Sequence, residues 1–457
     1  MAIHHGMKPW RPATWPRSAW AVLTAILAAV LTMLGGGKSL TEAFESFTQT
    51  DRIVEISAAL SGAAEHSFPV TLIKVDDETL LRWGNPMIAP HAALARLIEI
   101  AGKGNAAAVV VDVDLTSENP AAAPDPALVE SVSNYIPINL PIMFVRSFRA
   151  APSGESESDT VLVNNTPYDD VFAATHKSMW VSVLTPLSGD RVVRRLRLWQ
   201  TVCKGAEGVS YPSPPLVIAA KFAADGDRSG DLGRFLSAQV DRGCRRLDSR
   251  PTPGWPPRSN PDVAIEYLFN AAAEETSVRS VASKGSNTAV FKQIPAWTLV
   301  NFGADGATSA GDIYPQAFES RIVVIGVTGG NSHDIYATPL GSQPGAVILA
   351  NTIVAAADMS NMPEASPAIE LIIILAIFAV LAFISHQLQM GPATLVAGPF
   401  IVVVTVVLSH LFGFEVGIRI IAVTITLYIL YEFVESFVGV IYNWSHGKGW
   451  RSILKRH

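Results

Sequence analysis

Carboxylates are the side chains of this sequence best placed to do chemistry together. Asp76 and Asp77 follow one apolar run, VTLIKV; Asp112 and Asp114 close a second, AVVVDVDL; His333 and Asp334 follow a third, RIVVIGV. In open α/β sheets, ligands sit beyond the carboxyl ends of the strands. If the three runs are neighbouring strands, Asp76, Asp77, Asp112, Asp114, His333 and Asp334 converge on one crevice and form a candidate ligand-binding set. Such a cluster holds a cation or a cationic ligand, or raises the pKa of one carboxyl through burial and like charge. The competing reading is local, with the same side chains capping helices and bonding loop amides.

Other motifs are weaker. Gly326, Gly329 and Gly330 in GVTGGN match neither the dinucleotide nor the phosphate-loop pattern, no lysine stands where a phosphate needs one, and the next helix signal is more than ten residues away. They are read as turn residues. Asp225, Asp227, Ser229 and Asp231 have calcium-loop spacing with Gly230 at the sixth place, but Leu236 replaces the bidentate glutamate, so a solvated loop is expected. Arg195 and Arg197 share one face of a strand, where they meet headgroups or an acidic partner, or only water. No G-x-S-x-G elbow, H-E-x-x-H pair or matched Cys-His arrangement occurs. The expectation is a protein that is not an enzyme, with no catalytic residue, metal centre or cofactor; a hydrolase using Asp76, Asp112 and Asp334 is the enzymatic alternative. Cys203 and Cys244 are the only cysteines, which excludes a four-cysteine zinc site. They form one disulfide in an oxidising compartment, or stay as two buried thiols.

The elements that position these residues alternate. Val70 to Asp77 reads as a buried strand, HAALARLIEIAGKG as a helix stopped by Gly102 and Gly104, and Ala106 to Leu115 as a second strand, together a βαβ unit. DPALVESVSNY suggests a helix, INLPIMFVRSF a strand, and QPGAVILANTIVAAAD a helix after RIVVIGV. MWVSVLTPLSGDRVVRRLRLW reads as a hairpin turning at Ser188 to Asp190. The fold class is α/β, a mostly parallel sheet flanked by helices with antiparallel additions.

The chain is 49% hydrophobic and 16% charged, apolar enough that part of it is expected in lipid. Four runs have the length of a membrane crossing: 18–37, 368–388, 393–412 and 417–438. Lys8, Arg11 and Arg17 precede the first, and Lys448, Arg451, Lys455 and Arg456 follow the last. Basic flanks favour the cytoplasm, so segment 1–17 and tail 439–457 are expected inside and region 38–367 outside, in the periplasm of a bacterial inner membrane. A cleaved signal peptide is the rival reading of the first run. Glu432 and Glu435 lie on one helical face, for headgroups or a partner helix. The net charge of −6 is spread along the chain and excludes a nucleic-acid surface.

The middle region resembles the CHASE2 domain, an extracytoplasmic sensory module of bacterial membrane receptors. The resemblance lies in IKVDDETLLRWG, VVVDVDLTSENP, SGDRVVRRLRL and RIVVIGVTGGNSHDIYATPLGSQPGAVILANTI, and in the plan of one apolar run before the domain and three after. WGNPMIAPH departs from the family's Trp-Pro-x-x-Arg pattern. Relatives often continue into a kinase or cyclase domain, whereas here about 20 residues follow the last run, too few for one. The resemblance implies a receptor-like protein that takes up an unknown ligand and passes the signal to a separate membrane or periplasmic protein, with a homo-oligomer as a further partner state. A non-sensing scaffold of an envelope complex is the alternative.

Overall fold

A computed structural model describes residues 68–354 except 87, 117–122, 137–138, 151–160, 188–190, 205–206, 224–225, 245–261, 266–289, 304–305, 310–314 and 330–333, together with 356, 367–387 and part of 400–428. The chain divides into two compact units, Gln49–Glu364 and the combination of Met1–Thr48 with Ala365–His457.

The first unit is built on six strands: β1 (Val70–Val75), β2 (Ala108–Asp112), β3 (Ile142–Val145), β4 (Ser178–Val181), β5 (Phe291–Pro295) and β6 (Ile322–Val327). Their spatial order is β5-β1-β6-β2-β3-β4, and every neighbouring pair is parallel. The central strands are runs of β-branched residues buried along nearly their whole length, as a parallel sheet covered on both faces requires. The last strand in sequence, β6, inserts between β1 and β2.

One face carries Ile73, Val75, Val109, Val111, Val323 and Ile325, packed in a single core with helices α1 (Asp77–Arg82), α2 (His91–Lys103), α3 (Pro126–Asn134) and α4 (Asp169–Thr175). These helices start where caps allow: Asp76 caps α1, and Asp125 caps α3, whose first residue is Pro126. Helices α5 (Pro214–Lys221), α6 (Ser229–Cys244) and α7 (Pro315–Phe318) lie in the later half of the unit. The opposite face is covered by α8 (Gly345–Val354), every described side chain of which after Gly345 is buried. The connections that follow β1, β2 and β3 therefore run on one face, while the one that follows β6 runs on the other. The carboxyl end of β6, flanked by β1 and β2, is a topological switch point.

Antiparallel additions are present as separate ribbons, Trp199–Lys204 with Glu207–Pro212 and Ile335–Thr338 with Gly341–Pro344 among them. The expected hairpin about Ser188 to Asp190 is not a continuous ribbon. Its arms meet in one bridge, Leu187 with Val193, while Ser178–Val181 joins the main sheet and Arg195–Arg197 pairs with Asp262–Ala264. Its turn lies outside the described residues. Arg195 and Arg197 are half-buried, and Arg197 Nη1 donates to Gln200 Oε1 at 3.0 Å.

Cys203 and Cys244 are joined in a disulfide that ties the Trp199–Pro212 ribbon to the end of α6, beside Trp199 packed edge-on against Phe235. The bond spans 41 residues, and closing a loop of that length restricts the unfolded chain by about 2–4 kcal/mol. The double replacement Cys203→Ser, Cys244→Ser is expected to lower stability by that amount in urea unfolding, with proteolysis of α6 rising first. Equal stability with and without the bond would show that the ribbon and helix hold by packing alone.

In the second unit, helix α9 (Pro367–Gln387) packs Ile374, Ile377, Phe378 and Leu381 against Leu408, Ile420, Ile421 and Val423. Among the described residues no helix is long and apolar enough to cross a membrane. Runs 18–37 and 393–412, most of 417–438, Arg419, Glu432, Glu435 and the basic tail lie wholly or largely outside the described residues.

Candidate functional site

The three strands that meet at the switch point present registered residues on one face: Lys74 of β1, Gly326 of β6 and Asp112 of β2. Gly326 is where α8 comes closest. A Cβ there would collide with the Ala346 Cβ and stand 3.6 Å from the Asp112 Cβ. The missing side chain lets α8 seat on the sheet and leaves the Asp112 carboxyl beneath the amino end of that helix.

Asp334 arrives from the opposite side. The Gly345 N–H at the start of α8 donates to the Asp334 main-chain carbonyl at 2.9 Å, and the Asp334 carboxylate lies against Gly345 and accepts from the Tyr336 hydroxyl. A Cβ at Gly345 would strike the Asp334 carboxylate, so the two are in close contact. Burial, and then the charge of Asp334, push the Asp112 carboxyl up to about 7. Burial also raises Asp334, against the lowering effect of the Tyr336 hydroxyl and the Gly345 N–H, and raises the Tyr336 hydroxyl to about 12.

The six predicted residues thus separate. Asp112 and Asp334 are brought together. Asp76 is taken up locally, accepting from the Thr79 N–H at 2.9 Å and the Thr79 hydroxyl at 2.6 Å and pairing with Lys74 Nζ at 3.2 Å. Asp77 sits against the Gly329 backbone, where a Cβ would collide with it. Asp114 is exposed and accepts from the Thr116 N–H at 2.9 Å, an Asx turn. His333 lies outside the described residues. Of the three glycines read as turn residues, Gly326 lies inside β6, Gly329 follows the end of that strand and packs against Asp77 at the start of α1, and Gly330 lies outside the described residues. The solvated loop expected over Asp225 to Asp231 is in part a helix, with Asp225 itself outside the described residues. Ser229, Gly230 and Asp231 are the first turn of α6, and Asp227 accepts from the Ser229 N–H at 2.9 Å and pairs with Lys221. Among the described residues no group of three His, Cys, Asp or Glu is arranged to hold a metal.

Two members of the site carry no sequence motif. Tyr336 and Gln343 face each other across the Ile335–Pro344 ribbon, on the side turned inward. Gln343 is fully buried, and neither Oε1 nor Nε2 finds a hydrogen-bond partner among the described residues. Alternation along a four-residue arm could have placed Gln343 on the inner side only if the register with Tyr336 were known.

A recess of about 470 Å³ opens beyond β3 and β4, lined by Arg146, Asp169, Trp180 and Tyr211 among others. Arg146 is buried, pairs with Asp169 through both terminal nitrogens and lies 4.6 Å from the centre of the Trp180 ring. Arg146 directly follows β3, so the same carboxyl-end rule that selected the aspartates would have found it.

No curated protein and no solved structure matches the chain. The family model described as the CHASE2 domain matches residues 18–384, which include every strand of the six-stranded sheet, and the chain belongs to the CHASE2 domain family.

Proposed function

We propose that this chain is a receptor-like protein of the bacterial inner membrane, whose CHASE2 domain takes up a ligand or partner at the switch-point crevice outside the cell's inner barrier. The occupied state is passed to a separate polypeptide through its membrane helices. The observation that carries this reading is the seating of α8: its amino end is held by Asp334, whose main-chain carbonyl accepts from the Gly345 N–H at 2.9 Å and whose carboxylate lies against Gly345, and residues 355–366 connect its end to α9. A change in the charge or contacts of Asp334 therefore acts on the element that leads to the apolar helices. A ligand shifts such an equilibrium only through its difference in affinity between the two states.

Several features support the setting. Ile372 and Val380 of α9, and Val403 and Val407, are exposed apolar side chains in a unit that also has an apolar core, the pattern of helices that face lipid as well as one another. The Cys203–Cys244 bond suits an oxidising compartment.

The test uses a lock. Val192 and Ala337 are bridge partners, so the variant Val192→Cys, Ala337→Cys is expected to form a disulfide fixing the ribbon that carries Tyr336 and Gln343. Chemical crosslinking in cells, followed by affinity purification and mass spectrometry, would compare the locked chain with Val192→Cys alone. At least a threefold change in captured partner or oligomer is expected. Identical profiles would reject sensing and leave a scaffold.

A further inference from the structure

Resting on the reading of the switch-point crevice as a binding site, we infer that its ligand is a small hard cation, held by the carboxylates of Asp112 and Asp334 with the Gln343 amide oxygen. The carboxylates alone would not carry this, since acidic residues at strand ends commonly do no more than cap and bond. Gln343 is the independent observation. A fully buried amide with neither polar atom partnered among the described residues costs about 1–3 kcal/mol per unsatisfied group, so the fold retains it against stability. Its direction is fixed by pairing: Ala337 and Ser342 turn outward and are exposed, while Tyr336 and Gln343 turn inward. The Tyr336 hydroxyl on that inner side reaches Asp334, and Gln343, opposite Tyr336 in the register, is buried on the same ribbon face.

The charge balance selects the sign of the ligand. Lys74, on the same sheet face, is paired with Asp76, and α8 contributes no titratable side chain. Asp77 stands at the start of α1, and Tyr336 stays protonated at neutral pH. An incoming cation meets two carboxylates and an amide oxygen, the oxygen donors that hard ions such as Ca²⁺ and Mg²⁺ take, with water filling the remaining positions. A protonated amine presents the same charge to the same acceptors. The Gly345 N–H and the Tyr336 hydroxyl hold Asp334 in place for either.

The experiment titrates the purified 457-residue chain with CaCl₂, MgCl₂ and methylammonium chloride by calorimetry at pH 8. At least one is expected to bind, and Asp334→Asn and Gln343→Leu are each expected to weaken it about tenfold or more. Gln343→Leu is informative because it removes a buried unpaired amide: the unliganded chain should be no less stable, so lost binding is not lost folding. Tb³⁺ luminescence excited through tyrosine gives a readout on the unaltered fold, expected to fall in Tyr336→Phe and to be displaced by Ca²⁺. Absence of heat from all three salts up to about 10 mM, or affinity unchanged in both Asp334→Asn and Gln343→Leu, overturns the cation assignment. Those results leave the sensory reading to the locked-ribbon experiment, which does not depend on what the crevice binds.

Discussion

Replacing Arg321 with methionine is expected to destabilise the α/β unit by about 3–5 kcal/mol, among the largest losses from any single substitution in this chain. Arg321 precedes β6 and is 2% exposed. Its Nε donates to the Thr71 hydroxyl at 2.7 Å, and its Nη2 donates to the carbonyls of Val70 at 2.6 Å and Val290 at 3.1 Å. The Thr71 hydroxyl in turn donates to the Ala317 carbonyl at 2.6 Å, and the Arg321 carbonyl accepts from the Ala107 N–H at 2.8 Å. One side chain therefore joins the amino ends of β5, β1 and β6, strands that are adjacent in space and far apart in sequence. Burial lowers the guanidinium to about 10, so it is charged throughout the neutral range. Methionine fills the volume but removes all three donated bonds; the Val290 carbonyl keeps the Val70 N–H at 2.7 Å and the Thr71 hydroxyl keeps Ala317, while the Val70 carbonyl loses its guanidinium donor. Urea unfolding of the intact chain measures the loss, and Arg321→Lys, which restores part of the bonding, should fall between. A loss below about 1 kcal/mol would show that the amino-end contacts hold the strands without this residue.

Local patterns in the sequence made individual elements legible and left their arrangement hidden. The runs VTLIKV, AVVVD and IVVIGV are apolar on both faces because both faces are covered, and that composition identifies them as buried parallel strands. Nothing local says that β6, some 210 residues beyond β2 in the chain, inserts between it and β1. The approach of Asp334 to Asp112 follows entirely from that insertion. For the same reason the segment from Met179 to Trp199 read as a hairpin: alternation signals strands, but it does not name their partners, and each arm found a different one. The acidic stretch Asp225 to Asp231, read as a solvated loop, misled at its end, where Ser229 to Asp231 begin α6. Short side chains at alternate positions suit a calcium loop and equally suit the start of a helix, and the capping bonds of Asp227 decide it. Asp76 and Asp114 illustrate the same competition, since each is satisfied by backbone within three residues.

Asp112→Asn is expected to change how stability depends on pH, an effect of comparable size. The Asp112 carboxyl lies at about 7 against an ordinary 3.8, so folding favours its neutral form. Its contribution is complete below the ordinary value and is lost as pH rises through the folded one, between about 4 and 7. At about 1.36 kcal/mol for each pH unit, the interval is worth on the order of 4 kcal/mol, reduced by the water that reaches a half-buried group. The wild-type melting temperature should therefore fall between pH 5 and pH 8, while the Asn variant, isosteric and uncharged, should stay nearly flat and exceed wild type at pH 8. The facing groups sharpen the test. Lys74 is engaged with Asp76, Asp77 lies against Gly329, Tyr336 does not titrate in this range, and α8 and Gly326 bring no charge, which among the described residues leaves Asp334 as the coupled partner. In Asp334→Asn the midpoint of the Asp112 transition should move down, because one of its two causes is gone. Parallel pH profiles for wild type and Asp112→Asn would mean that the carboxyl is solvated in the folded chain. A crevice that costs stability when charged and empty is one that a cation stabilises most at high pH, so the site's response to ligand is set by the burial that raises this one carboxyl.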